Sequence, residues 1–329
     1  MTDTARDLRQ AATPAARARR YLVIRNPAAG VASALLNRGG GVDDLRELLD
    51  RHGVDAEVAE PADEDAARAR VRKAVSDGMD VVAAGGDGTV HMVADELIGT
   101  DRALGILPMG RVMNIARALG LERDLDAAAD VLAAGHVRAI DVGEATATDD
   151  RTVEFLEAGS VGLNAAIFRE ATRADEGEPA SILRTIWVAL RYRPARMQIE
   201  LDERVVETRA LMVTASIGPY VGLGMTVAPG ARLDDGRFDV RVFRRFSKWE
   251  LVRYLASIAF GRRRYLPQVS TYRSAVVRIR SARPLPARAD SIDLGTTPVT
   301  FRTRPGALRV VAPEPSPPGA ATRSAADEP

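Results

Sequence analysis

The 329-residue chain contains no cysteine, which removes disulfides, thiolate zinc sites and cysteine nucleophiles together. Histidine is nearly as scarce. His52, His91 and His136 are the only three, little material for a zinc centre or a Ser-His-Asp triad. Of the 46 basic residues only Lys73 and Lys248 are lysines, and neither belongs to a GxxxxGK[ST] loop or a kinase-type lysine motif. Aromatic residues make up 5% of the chain, few for the stacking platforms of nucleic-acid binding, so no nucleic-acid partner is expected. No apolar run approaches the roughly 20 residues of a membrane span, and the first residues lack the apolar stretch of a signal peptide. These absences lead to the expectation of a soluble, cytoplasmic protein. Its chemistry must rest on carboxylates, arginines, backbone amides and bound ions.

A chain of this length is expected to divide into two domains. The net charge of +1 conceals an asymmetry: residues 1–150 carry −8, residues 151–312 carry +11 and the tail carries −2. A basic second half suits an anionic partner such as a membrane surface, or simply reflects solvated arginines. Residues 1–20 and the Pro/Ser/Ala-rich 313–329 read as disordered tails. Between 21 and 140, short β-branched runs alternate with helical stretches, the βαβα order of a doubly wound parallel sheet. From 141 to 312 the pattern turns to short strands, at 137–144, 152–160, 196–202, 209–216, 238–243, 275–280, 297–302 and 307–311. Helices are expected at 181–192 and 248–260, with Trp187 and Trp249 read as core. The fold class is therefore α/β, with an N-terminal nucleotide domain and a larger, β-rich, sandwich-like C-terminal domain.

The sharpest local feature is Asp80-Val-Val-Ala-Ala-Gly-Gly-Asp-Gly-Thr89, a buried strand running into a helix. Gly85, Gly86 and Gly88 allow backbone N–H groups to approach phosphate oxygens, the helix start adds partial positive charge, and Thr89 follows. Asp87 is placed to hold magnesium or polarise an attacking hydroxyl. Asn26-Pro27-Ala-Ala-Gly30 and Pro108-Met-Gly110 follow two other strands of the same sheet. Three glycine-bearing loops at one sheet edge form a nucleotide cradle, with Arg25 or Arg111 available to neutralise phosphate charge. His91 either faces phosphate or is packed or solvated. The Arg262–Arg264 run is the candidate contact for an anionic bilayer, and an exposed sheet edge would allow a homodimer.

The order NPAAG, GGDGT and LGILPMG…N-x-A-R-x-L-G resembles the N-terminal half of the diacylglycerol kinase catalytic-domain superfamily. Gly218-Pro-Tyr-Val-Gly-Leu-Gly-Met…Asp234-Asp-Gly-Arg-Phe-Asp-Val240, Ala289-Asp290 and Pro305-Gly-Ala-Leu-Arg-Val-Val-Ala-Pro313 are similar to its second half. The resemblance spans about residues 21–313. It implies an ATP- and Mg²⁺-dependent lipid kinase acting on a diacylglycerol-like hydroxyl at a membrane surface. By the same resemblance, Asp235 with backbone carbonyls of Arg232 and Arg237 holds a structural Mg²⁺, and Asp290 is the general base.

Several positions depart from the family pattern. Met92 stands in the GGDGTxNE motif, Arg111 and Met113 in GTGND, Ile217 before GPY, and Ile292 in DGE. Met and Ile neither coordinate Mg²⁺ nor move protons, whereas Arg111 offers a phosphate clamp. Two readings follow. One is a divergent kinase with Asp290 as base and Arg111 as clamp; the other is a kinase-like nucleotide- or lipid-binding protein with little turnover. NAD kinase shares GGDG and is the further alternative.

Overall fold

The computed structural model describes residues 19–26, 41–175, 184–185, 187–188, 191–222, 224–244 and 269–314. The first half is β1 (Tyr21–Arg25), α1 (Val42–Arg51), β2 (Ala56–Ala59), α2 (Glu64–Ser76), β3 (Asp80–Gly85), α3 (Asp87–Leu97), β4 (Ala103–Pro108), α4 (Asn114–Ala118) and α5 (Leu125–Ala134). Strands β1, β2, β3 and β4 pair in parallel in the order β2-β1-β3-β4. Every residue of β3 and β4 is buried, the signature of strands covered on both faces. One face packs on Leu45, Leu48 and Leu49 of α1 and Ala128, Ala129 and Leu132 of α5. The other packs on Val71 of α2 and Val90, Val93 and Leu97 of α3. Helix α2 starts where the Asp63 carboxylate accepts the Ala66 N–H at 2.8 Å, and α5 starts likewise on Asp124. The doubly wound sheet expected from the sequence is present.

The second half comprises β5 (Val137–Thr146), β6 (Thr152–Phe155), β7 (Ala158–Gly162), α6 (Leu163–Asp175), β8 (Ala195–Glu200), β9 (Val205–Ala210), β10 (Met212–Ser216), β11 (Tyr220–Val221) and β12 (Met225–Thr226). It closes with β13 (Phe238–Phe243), β14 (Val269–Ser274), β15 (Val276–Ser281), β16 (Pro286–Ala289), β17 (Ile292–Thr296) and β18 (Val299–Val311). Strands β14-β13-β10-β7-β16-β17 form one sheet. Strands β11 and β12 form a separate two-stranded sheet, and the remaining strands extend the first sheet through β18, which lies parallel to β4 at Arg309–Val310 and antiparallel to β15 at Val299–Arg302. Along its other edge β18 pairs with β5 over nearly its whole length. The boundary drawn at residue 140 therefore falls inside β5. Between the sheets, Phe155 stacks on Phe238 at 5.8 Å and meets Phe301 edge-on at 5.9 Å, a β-sandwich core.

The expected strands 297–302 and 307–311 are one strand. Pro305-Gly306 is absorbed as a register irregularity between Arg304 and Leu308, as bulges allow. The expected strand 152–160 is two, β6 and β7, which belong to different sheets. Residues 184–185, 187–188 and 191 are helical. Trp187 is 55% exposed rather than core, its ring covered by the Arg191 guanidinium at 4.4 Å. The expected helix 248–260, Trp249 and Arg262–Arg264 lie outside the described residues. No described helix is long and apolar enough to cross a membrane.

Candidate active site

At the carboxyl ends of β1 and β3 lies a cavity of about 560 Å³ lined by Asn26, Gly86, Gly88, Thr89 and Met92, with Pro61–Glu64 opposite. Helix α3 opens there with Gly86 as N-cap and no side-chain cap, so its first N–H groups are available to an anion. The loop after β4 presses against this turn: a Cβ on Gly110 would come 2.7 Å from the Gly86 Cα. Gly85 is the last residue of β3, packed under buried Thr89. Pro27 and Gly30 lie outside the described residues. Arg111 is exposed and is not part of the cavity lining, so the clamp role has no geometry behind it. Met92 and Met113 are buried, packing residues of the core.

The Asp87 carboxylate turns away from the cavity. Its two oxygens accept the backbone N–H groups of Met113 and Asn114, both at 2.9 Å. It thereby fixes Met113 in the left-handed region (φ 55°) and caps α4. In the structure Asp87 joins two loops, the turn after β3 and the start of α4.

Asp290 is engaged in the same way. Its carboxylate accepts N–H groups from Leu156 (2.7 Å), Ala158 (2.8 Å) and Glu157 (3.1 Å). All of these residues are buried. An oxygen pair so committed is an anchor for the turn between β6 and β7. What that turn presents is Glu157. Its Oε2 accepts Asn114 Nδ2 at 3.0 Å and the Gly222 N–H at 3.1 Å. Among the described residues its Oε1 meets His91 Nε2, at 3.9 Å, while His91 Nδ1 stands 3.6 Å from Asp290 Oδ2. Burial pushes the Glu157 carboxyl above the usual carboxylate range, with His91 opposing. Burial works against the His91 imidazolium, but the neighbouring Glu157, Asp290 and Asp95 outweigh it and push His91 up to about 9. Neither Glu157 nor a defined role for His91 emerged from the sequence. The available signal was one acid inside the apolar run Phe155-Leu-Glu-Ala-Gly159.

The GPY segment reaches this site from the β-rich half. Asn114 Nδ2 also donates to the Gly222 carbonyl at 2.7 Å, and Arg117 donates to the Gly224 carbonyl while covering the Tyr220 ring at 3.8 Å. Among the described residues the buried Asn114 Oδ1 has no hydrogen-bond partner, an acceptor left for a ligand or water.

The 232–237 loop does not fit a cation as arranged. Asp235 is ion-paired with Arg273 and accepts the Arg237 N–H, while the Arg232 guanidinium holds Asp234. The loop is fastened instead by Asp141, which accepts the Gly236 N–H at 2.6 Å and the Gly306 N–H at 2.9 Å. Among the described residues no three His, Asp or Glu side chains gather as a metal site.

Comparison with known proteins adds the lineage. Residues 20–145 match the model of the diacylglycerol kinase catalytic domain, and residues 151–312 that of the YegS C-terminal NAD kinase beta sandwich-like domain. A protein named diacylglycerol kinase in Mycobacterium tuberculosis is 29% identical over 298 residues, covering 88% of this chain and 94% of the relative. A Citrobacter koseri protein named "Probable lipid kinase YegS-like" is 30% identical over 225 residues, covering 64% of this chain and 74% of its own. A crystal structure titled as a diacylglycerol kinase from Bacillus anthracis superposes with a TM-score of 0.64 at 20% identity, over 89% of this chain and 97% of that one.

Proposed function

Because the chain belongs to the diacylglycerol kinase catalytic-domain superfamily, we propose that it transfers the γ-phosphoryl group of ATP to the hydroxyl of a diacylglycerol-like lipid at a membrane surface. In this reading the nucleotide occupies the cavity beside Gly86 and Gly88, its phosphates directed at the uncapped start of α3. Magnesium enters as part of the MgATP substrate, where it offsets phosphate charge; Asp87 is not assigned to it. The lipid hydroxyl approaches from the β-rich half, next to Glu157. A bond forms between that oxygen and the γ-phosphorus, the bond to the β,γ-bridging oxygen breaks, and the hydroxyl proton passes to Glu157 Oε1. ADP and the phosphorylated lipid leave.

The observation that carries the reading is the environment of Glu157. It is a buried carboxylate with one oxygen fixed by Asn114 and Gly222 and the other directed toward His91. Its raised pKa makes it a stronger proton acceptor than an ordinary carboxylate. The imidazolium of His91 offsets part of the charge that Glu157 and Asp290 carry together.

The test is transfer of label from γ-labelled ATP to diacylglycerol in mixed micelles, with wild type beside Glu157→Gln. Transfer by the wild type and a loss of about 10²–10⁴-fold in kcat for the variant are expected. Nucleotide binding without transfer to any lipid would favour the binding-protein reading, and phosphorylation of NAD would favour the NAD kinase reading.

A further inference from the structure

The sheet β14-β13-β10-β7-β16-β17 ends in the hairpin β16–β17, whose turn is Asp290 and Ser291. Asp290 takes a positive φ of 45° there, a conformation an aspartate tolerates but does not favour. Two backbone contacts hold it. Its N–H donates to the Ala158 carbonyl at 3.0 Å, and its carbonyl accepts Arg288 Nε at 2.6 Å. Helix α6 grips the hairpin on both sides of this turn. Before it, Phe168 covers the Arg288 guanidinium at 3.6 Å. After it, Arg169 donates to both oxygens of Asp293, each at 2.7 Å, and to the Gly295 carbonyl at 2.9 Å.

The two arginines differ in one respect. Arg169 has a carboxylate partner, whereas Arg288 is 7% exposed and no carboxylate pairs with it among the described residues. A buried charge without a hydrogen-bonded counter-ion costs stability. Within its field lie Asp290 and Glu157, which oppose the burial that pushes the guanidinium down to about 10. That attraction is mutual: a cation favoured by Glu157 favours the ionised form of Glu157 in return. The other charged groups acting on Glu157 are His91 and Asp87 from α3 and Asp290 itself, with Asp95 acting on His91. His91 loses its proton near 9, so Arg288 is the cation that stays charged after the imidazolium has gone. The geometry forms a chain as well. Arg288 holds the Asp290 carbonyl, and the Asp290 carboxylate holds the N–H groups of Leu156, Glu157 and Ala158.

We propose that Arg288 is a positioning residue for the proton acceptor: through the Asp290 carbonyl it fixes the turn that presents Glu157, and its charge favours the carboxylate form of Glu157. The inference rests on the lipid-kinase reading with Glu157 as acceptor and adds the residue that holds and tunes it. Arginine suits the task because its planar fork stacks under Phe168 while Nε stays directed at the carbonyl.

The test compares wild type, Arg288→Met and Arg288→Lys in transfer of label from γ-labelled ATP to diacylglycerol, over the pH range in which His91 keeps its proton. In the same proteins the Glu157 carboxyl is titrated by carbon-13 NMR after glutamate labelling, its signal assigned with Glu157→Gln. In Arg288→Met the Glu157 titration and the acid limb of kcat should both move up by about one pH unit, because a charge favouring the carboxylate is gone. Within that limb kcat falls about tenfold, while KM for ATP stays within about twofold. Arg288→Lys keeps the charge and loses the fork. Its Glu157 titration should stay within about 0.3 units of wild type, and its plateau kcat should fall several-fold because Asp290 is held less firmly. A Glu157 titration unmoved in Arg288→Met, or moved as far in Arg288→Lys, would overturn the charge role. A wild-type plateau in Arg288→Lys would overturn the positioning role. Either result leaves the kinase reading standing. No transfer to any lipid by the wild type would overturn the kinase reading, and the NMR titration would still decide whether Arg288 governs the Glu157 carboxyl.

Discussion

Two neighbouring carboxylates, Asp290 and Glu157, can be told apart by exchanging one oxygen of each for an amino group. In Asp290→Asn the side chain keeps one acceptor where the wild type has two, serving Leu156 at 2.7 Å and Ala158 at 2.8 Å, with Glu157 between them. One backbone N–H must then face an NH₂ donor in a buried turn. Hydrogen bonds to a charged group contribute about 1.5–3 kcal/mol, and a stranded buried donor costs about 1–3 kcal/mol, so the expected loss is roughly 3–5 kcal/mol. Asparagine tolerates the positive φ of 45° at this position, so backbone strain adds little. In Glu157→Gln the amide oxygen can still accept from Asn114 and Gly222, and the amino group points toward His91. Stability should change by less than about 1 kcal/mol, while kcat falls about 10²–10⁴-fold. Urea unfolding read by circular dichroism, beside the labelled-ATP assay, measures both. If Asp290→Asn unfolds at the wild-type midpoint and Glu157→Gln turns over normally, the assignment of anchor and proton acceptor is wrong.

Activity should rise with pH through the elevated Glu157 pKa, because only the ionised form takes the proton, and fall as His91 loses its proton near 9. A His91→Gln variant lacking that upper limb would identify the imidazolium as its source, and one retaining it would refute the assignment. Chelation with EDTA should stop transfer yet shift the melting temperature by less than about a degree, since Asp235 is held by Arg273; a drop of several degrees would reinstate a structural cation. Gly143→Ala and Gly159→Ala would drive a methyl into the Phe155 and Phe301 rings respectively. Each should lower stability by about 1–3 kcal/mol in urea unfolding, and neutral results would contradict the packing described.

The parallel half was legible because its strands are continuous apolar runs and its helices carry one apolar face. There glycine marks the strand-to-helix turns. The β-rich half was less so. Pro305-Gly306 looks like a break, yet β18 runs through it because Asp141 holds Gly306. The β16–β17 hairpin turns on Asp290 in the left-handed region, which Ala289-Asp-Ser-Ile292 does not advertise. At the site, the motifs located the right loops but not the roles. Whether an aspartate faces a ligand or a backbone amide depends on the neighbouring loop, and Met113–Asn114 and Leu156–Ala158 supply those amides from far along the chain. Glu157 was hidden because a single acid in the short turn between β6 and β7 carries no periodic signal.

The sharing of β18 between the two halves also constrains the order in which the chain can mature. Among the described residues the outer edge of β4 is closed by Arg309 and Val310, near the end of the final strand. A ribosome releases the first 145 residues long before those two exist, so the nascent nucleotide half carries an open apolar edge through the remainder of synthesis. A fragment cut at the end of the first family match would keep that edge for good. The two halves are thus separable as sequence modules but not as folding units, and a message truncated before residue 299 loses the closing strand of both at once.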